Sequence, residues 1–165
     1  MYPSYAYAMF WANAALVGDL DEIMSELGVI LDFKNCLDYM YCFSMTKFTA
    51  IGTIVASKAS GLNNTFSNST NLKTIRLLKL DDAGTKTFPS TFNSCTSLEN
   101  ITIEGVIGQN LDIHWSPLTH ESIMSIINHL GTIATAKTLT LGTTNLAKLT
   151  DAEKAIATQR GWTLA

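Results

Sequence analysis

The sequence predicts an α/β protein built as a short, irregular solenoid: a ladder of parallel short strands, C-terminal helices and a terminal cap. Three observations predict it. FSNSTNLKTI, Phe66 to Ile75, returns as FNSCTSLENI, Phe92 to Ile101, so that Phe66, Leu72, Ile75 and Leu77 recur as Phe92, Leu98, Ile101 and Ile103, twenty-six positions on. A fixed period of about 20–50 residues is the mark of stacked repeats. Hydrophobic residues make up 47% of the chain and charged residues only 15%, so its polarity comes from Thr, Ser and Asn, whose side chains hold tight turns. The last third then changes to helical spacing. At 165 residues a single domain, 1–165, buries its own core without disulfide or metal.

Residues 1–35 read as an N-terminal cap or a degenerate repeat. FWANAALVGDL keeps Phe10 and Leu16 but puts Asp19 where the repeat has Ile. Tyr2, Tyr5, Tyr7, Phe10 and Trp11 crowd one segment, which reads either as a cap on the first repeat or as the anchor of an interface. DLDEIMSELG, with acids in its first turn and a Gly at its end, predicts a short helix.

Residues 36–115 hold the repeats. Each is a turn followed by a strand whose apolar residues lie two apart and face one way, Ile75 with Leu77 and Ile101 with Ile103. A looser copy places Cys42, Phe48, Ile51 and Thr53 at the same spacing, twenty-four residues before the next unit. One unit cannot bury its Phe and its strand face alone; stacked neighbours bury them together. Segments 66–77 and 92–103 are therefore expected side by side and parallel.

Residues 116–165 predict helix, strand, helix and strand. SPLTHESIMSIINHLG carries Ile123, Met124, Ile126, Ile127 and Leu130 at helical spacing, between Thr119 as N-cap and Gly131. Leu139 and Leu141 alternate in AKTLTLG, Thr150 and Glu153 form a capping box, and WTLA is a last strand that covers the sheet edge.

Composition removes several function classes. A net charge of -3 offers no basic stripe for nucleic acid. Cys36, Cys42 and Cys95 have no C-x-x-C spacing, so neither a disulfide framework nor a zinc site is indicated, and they read as buried small hydrophobes. The apolar run from Tyr5 to Val17 is too short for a membrane helix and has no basic residue before Lys34, so neither membrane insertion nor a signal peptide is expected of it. G-x-S-x-G, G-x-x-x-x-G-K-[ST] and G-x-G-x-x-G are all missing, and no cofactor is expected. His120 and His129, nine apart on one helix, project about 180° apart and cannot share a metal. Asp112, His114 and Trp115 in LDIHWSP could line a rim, either as a solvent-facing strand histidine or as the site of a small hydrolase.

FNSCTSLENI resembles the unit of the BspA-like leucine-rich repeats of bacterial surface and phage-associated proteins, which looks like F-x-x-C-x-S-L-x-x-I. It matches at Phe92, Cys95, Ser97, Leu98 and Ile101, while FSNSTNLKTI has Ser69 in the Cys position. The tail from Ser116 is similar to a segment that follows such repeats in prophage-encoded proteins, so the resemblance covers roughly residues 36 to 165. It implies a curved leucine-rich-repeat solenoid acting in attachment rather than catalysis, with no catalytic residue to carry over. The expectation is a non-enzymatic module for binding a protein or cell-surface glycan, or for structural assembly. It would sit on a virion or bacterial surface as part of a longer protein, or otherwise in the cytoplasm. Recognition would fall to positions that vary between units, Lys73, Arg76, Glu99 and Thr102, with His114 and Trp115.

Overall fold

Four phenylalanine rings set the spacing of the molecule. In a computed structural model describing residues 5–29 and 35–165, Phe10, Phe43, Phe66 and Phe92 stack face to face, with centroids 5.6, 5.5 and 5.4 Å apart and planes within 14°. Tyr2 of the aromatic segment and Lys34 lie outside the described residues.

Each ring is followed by a strand: β1 (Val17–Asp19), β2 (Lys47–Val55), β3 (Thr74–Lys79) and β4 (Asn100–Glu104) form one parallel sheet in that order. A second parallel sheet runs β5 (Leu111–Asp112), β6 (Lys137–Thr140) and β7 (Trp162–Leu164). The helices are few and short: α1 (Leu20–Glu26), α2 (His120–Asn128), α3 (Gly142–Leu146) and α4 (Asp151–Gln159). The fold is thus mixed α/β with two parallel sheets, and neither closes into a barrel. Among the described residues no helix is long and apolar enough to cross a membrane.

Opposite the strands lie four turn segments, 5–13, 38–46, 61–69 and 87–95, each centred on its Phe. Alternate N–H groups bond within a segment, as Ser67 N–H does to the Asn64 carbonyl; the others cross to the next, as from Asn64, Phe66 and Asn68 to Pro89, Thr91 and Asn93. This alternation requires a left-handed residue two before and two after each Phe. Those residues are Ala8 and Ala12, Tyr41 and Met45, Asn64 and Asn68, Ser90 and Ser94, all with φ between 49° and 58°. None of them is buried.

Three residues after the ring, a small polar side chain reaches back one level. The Ser69 hydroxyl donates to the Phe43 carbonyl at 2.5 Å, and the Cys95 thiol to the Phe66 carbonyl at 3.0 Å. Serine and cysteine are interchangeable here because each is short and each donates one hydrogen. All three cysteines are free and buried, and burial pushes the Cys95 thiol up to about 12.

Two register expectations are corrected. Phe43, not Cys42, occupies the ring position of the second unit, because that unit has one residue fewer between ring and strand: Phe43 precedes Ile51 by eight, whereas Phe66 precedes Ile75 by nine. Leu77 does not share the inward face with Ile75. The pairing slips after Ile75, so Leu78 stands opposite Ile103 and Leu77 is half-buried. In β2 likewise Ile54 is buried and Thr53 exposed. An extra residue within a strand turns the following side chains to the other face.

After β4 the next unit puts α2 where a fifth strand would lie. Its N-cap is Thr119, and its apolar face buries Ile123, Ile126 and Ile127. Arg160 Nη1 donates to the carbonyls of Ile127, Asn128 and Leu130 at 3.1, 2.9 and 2.8 Å, closing the C-terminal end of α2. Thr150 and Glu153 form the capping box of α4, and the Trp162 indole N–H donates to the Gly131 carbonyl at 2.8 Å. The five-residue α3 has no sequence signal of its own: its N-cap position is Leu141, without a side-chain cap.

Candidate binding surface

The strand face of β3 and β4 brings the variable positions together, but not as a free row. Lys73 and Glu99 stand just before their strands, both exposed, with the Lys73 carbonyl accepting from the N–H groups of Glu99 and Asn100 at 3.0 Å. Arg76 and Thr102 point out of the sheet into a groove of about 260 Å³ that continues to Glu121, Ser122 and Ser125 on α2. Thr74, Asn100 and Thr119 add hydroxyl and amide groups to its walls, and Ile75 and Ile101 line it as well.

Arg76 is held by two acids that the sequence placed far away. Its guanidinium pairs with Asp19, the N-cap of α1, and Nη1 lies 3.2 Å from Asp21 Oδ2. This hydrogen bond holds the Asp19 carboxyl below its usual range. Asp21 reaches Arg76 over Gly52 of β2, where a Cβ would lie 2.0 Å from Asp21 Oδ2. Gly52 thus serves a close approach. Further along, Lys79 pairs with Glu104, both half-exposed.

The far side of the groove is built by two serines. Ser122 Oγ accepts from Ile101 N–H and Ser125 Oγ from Ile103 N–H, each at 2.9 Å. The edge of β4 is thereby satisfied by a helix rather than by a strand. Nothing in the spacing of Ser122 and Ser125 along α2 marks this role, which depends on the neighbouring strand.

His114 and Trp115 lie elsewhere, past β5, with ring centroids 4.7 Å apart and Trp115 half-exposed. His114 Nδ1 is 2.5 Å from Asp112 Oδ1, so a carboxylate is within reach. Among the described residues no hydroxyl or thiol is hydrogen-bonded to Nε2, and the nearby groove is lined by Asp112 but not by His114. The other histidines have structural contacts: His120 Nε2 lies 2.9 Å from Glu153 on α4, and His129 Nδ1, at the C-cap of α2, lies 2.7 Å from the carbonyl of Ser125 in the same helix. Among the described residues no three His, Cys, Asp or Glu side chains cluster as a metal would need.

Asp81 is paired with Lys86 Nζ at 2.6 Å, and Lys86 is buried. In the aromatic segment the roles divide. Phe10 joins the ring stack, while Tyr5, Tyr7 and Trp11 are each more than half exposed; Tyr7 and Trp11 lie against Tyr41 at 6.5 and 6.4 Å.

Compared with family models, curated proteins and solved structures, the chain matches none.

Proposed function

We propose that the stack is a short leucine-rich-repeat solenoid of the BspA-like kind, and that it binds a protein or a cell-surface glycan, or joins a structural assembly, on a virion or bacterial surface. What supports this reading is the Arg76–Thr102–Ser125 groove: fixed hydroxyl, amide and guanidinium groups on a hydrogen-bonded scaffold. Side chains held by neighbouring contacts lose less entropy when a partner arrives, which favours affinity from a small polar surface. The chain should therefore bind members of a panel of bacterial cell-wall glycans on a microarray. Thr102→Trp, which fills the groove from an exposed position, should weaken that binding about tenfold, or about 1.4 kcal/mol. No binding to any glycan, or equal binding by the variant, would remove the groove from the argument.

The second reading, a small hydrolase, is favoured by the 2.5 Å contact between Asp112 and His114. It requires a third group to act as nucleophile or to hold water at Nε2. Hydrolysis of activated esters that disappears in His114→Ala would support it, and rates equal in both proteins would end it.

A further inference from the structure

We propose that the slot between the fourth turn segment and the free edge of β5 is a docking site for an extended peptide segment of a partner protein. Elsewhere along this side, neighbouring levels are paired: Gly61 bridges Thr87, Leu111 pairs with Leu139, and Leu139 with Leu164. Between Thr87 and Leu111 the series misses a rung. In its place is a groove of about 420 Å³, with Phe88 and Ser90 on one wall, Leu111 and Asp112 on the other, and Thr138 and Thr140 alongside.

The first wall carries the start of a row of donors, of which Phe88 and Ser90 line the groove. In the first and third turn segments the N–H groups four and two residues before the Phe, at the Phe and two after it all cross to the next segment. In the fourth segment those positions are Phe88, Ser90, Phe92 and Ser94, and among the described residues their N–H groups meet no acceptor. The second wall is a strand edge, since β5 pairs only with β6 among the described residues. Phe88 and Ser90, whose N–H groups are without an acceptor among the described residues, line the groove opposite the open edge of β5. A peptide can thus accept from the turn segment and pair with β5 on its other side, as in strand addition to an open sheet edge. This slot is separate from the β3–β4 groove, and the inference stands without the function proposed for that groove.

The test is a random dodecapeptide library, displayed on phage and selected against the whole chain, with the winners remade as synthetic peptides. Titration by fluorescence anisotropy should give saturable binding that Thr140→Trp, filling the slot, weakens about tenfold or more, and that Thr102→Trp on the other groove leaves unchanged. Hydrogen exchange on the unaltered chain supplies a readout that does not depend on any variant: bound peptide should slow the Phe88 and Ser90 amides. Failure to enrich peptides, equal binding by folded Thr140→Trp, or protection confined to other amides would each overturn the proposal. Protection of these amides that rises with protein concentration alone would assign the slot to a second copy of the chain instead.

Discussion

The two sides of the stack end differently. On the strand side the last N–H groups, of Ile101 and Ile103, are taken up by Ser122 and Ser125 of α2. On the turn side the last N–H groups, from Phe88 to Ser94, meet no partner among the described residues, and the next level stands across a groove. The same problem, how to stop a ladder of parallel levels, is solved on one side by two hydroxyls at the right height. On the other side it is left open, and an open edge is where another chain can add.

The largest effect should come from breaking both sides together. Phe66 is fully buried between Phe43 and Phe92, so Phe66→Ala should cost about 3–5 kcal/mol, read as a lowered midpoint in urea unfolding. Breaking only the closed side, with Ser122→Ala and Ser125→Ala together, leaves the buried Ile101 N–H and the part-buried Ile103 N–H without these acceptors and should cost about 2–3 kcal/mol in all. Hydrogen exchange should place the loss at Ile101 and Ile103.

Alkali tests the small polar position that links levels on the turn side. The Cys95 thiol is raised by burial from 9.0 to about 12, so the unfolded chain loses this proton first. Its contribution to stability is complete below pH 9.0 and should fall as the pH climbs towards 12. Asp19 has the opposite sign: its carboxyl is lowered by Arg76, so its smaller contribution is lost in acid, below the ordinary carboxylate range. Unfolding midpoints measured across pH for the chain and for Cys95→Ser should separate the alkaline part. At neutral pH that substitution should be the mildest change, within about 1 kcal/mol, because Ser69 already makes the same bond one level earlier.

The closed interior was legible because burial repeats itself. Phe66 and Phe92, Leu72 and Leu98, and Ile75 and Ile101 are alike since each faces the same neighbour one level away. Register within the strands was less legible: Leu77 and Leu78 are the same residue type, and no local signal says which one turns inward once a strand carries an extra residue. The surface was least legible. Arg76 was singled out as variable and exposed, but its partners Asp19 and Asp21 lie 57 and 55 residues earlier, a pairing set by the stack rather than by spacing.

The eight left-handed residues have a consequence for folding. A non-glycine residue in that conformation is disfavoured by roughly 1–2 kcal/mol, and each turn segment contains two of them. One segment alone cannot offset that cost, because half of its stabilising hydrogen bonds end on a neighbour. No single unit is therefore a folding nucleus; at least two levels must form together, and the stack from Phe10 to Phe92 should melt as one cooperative block rather than unravel rung by rung.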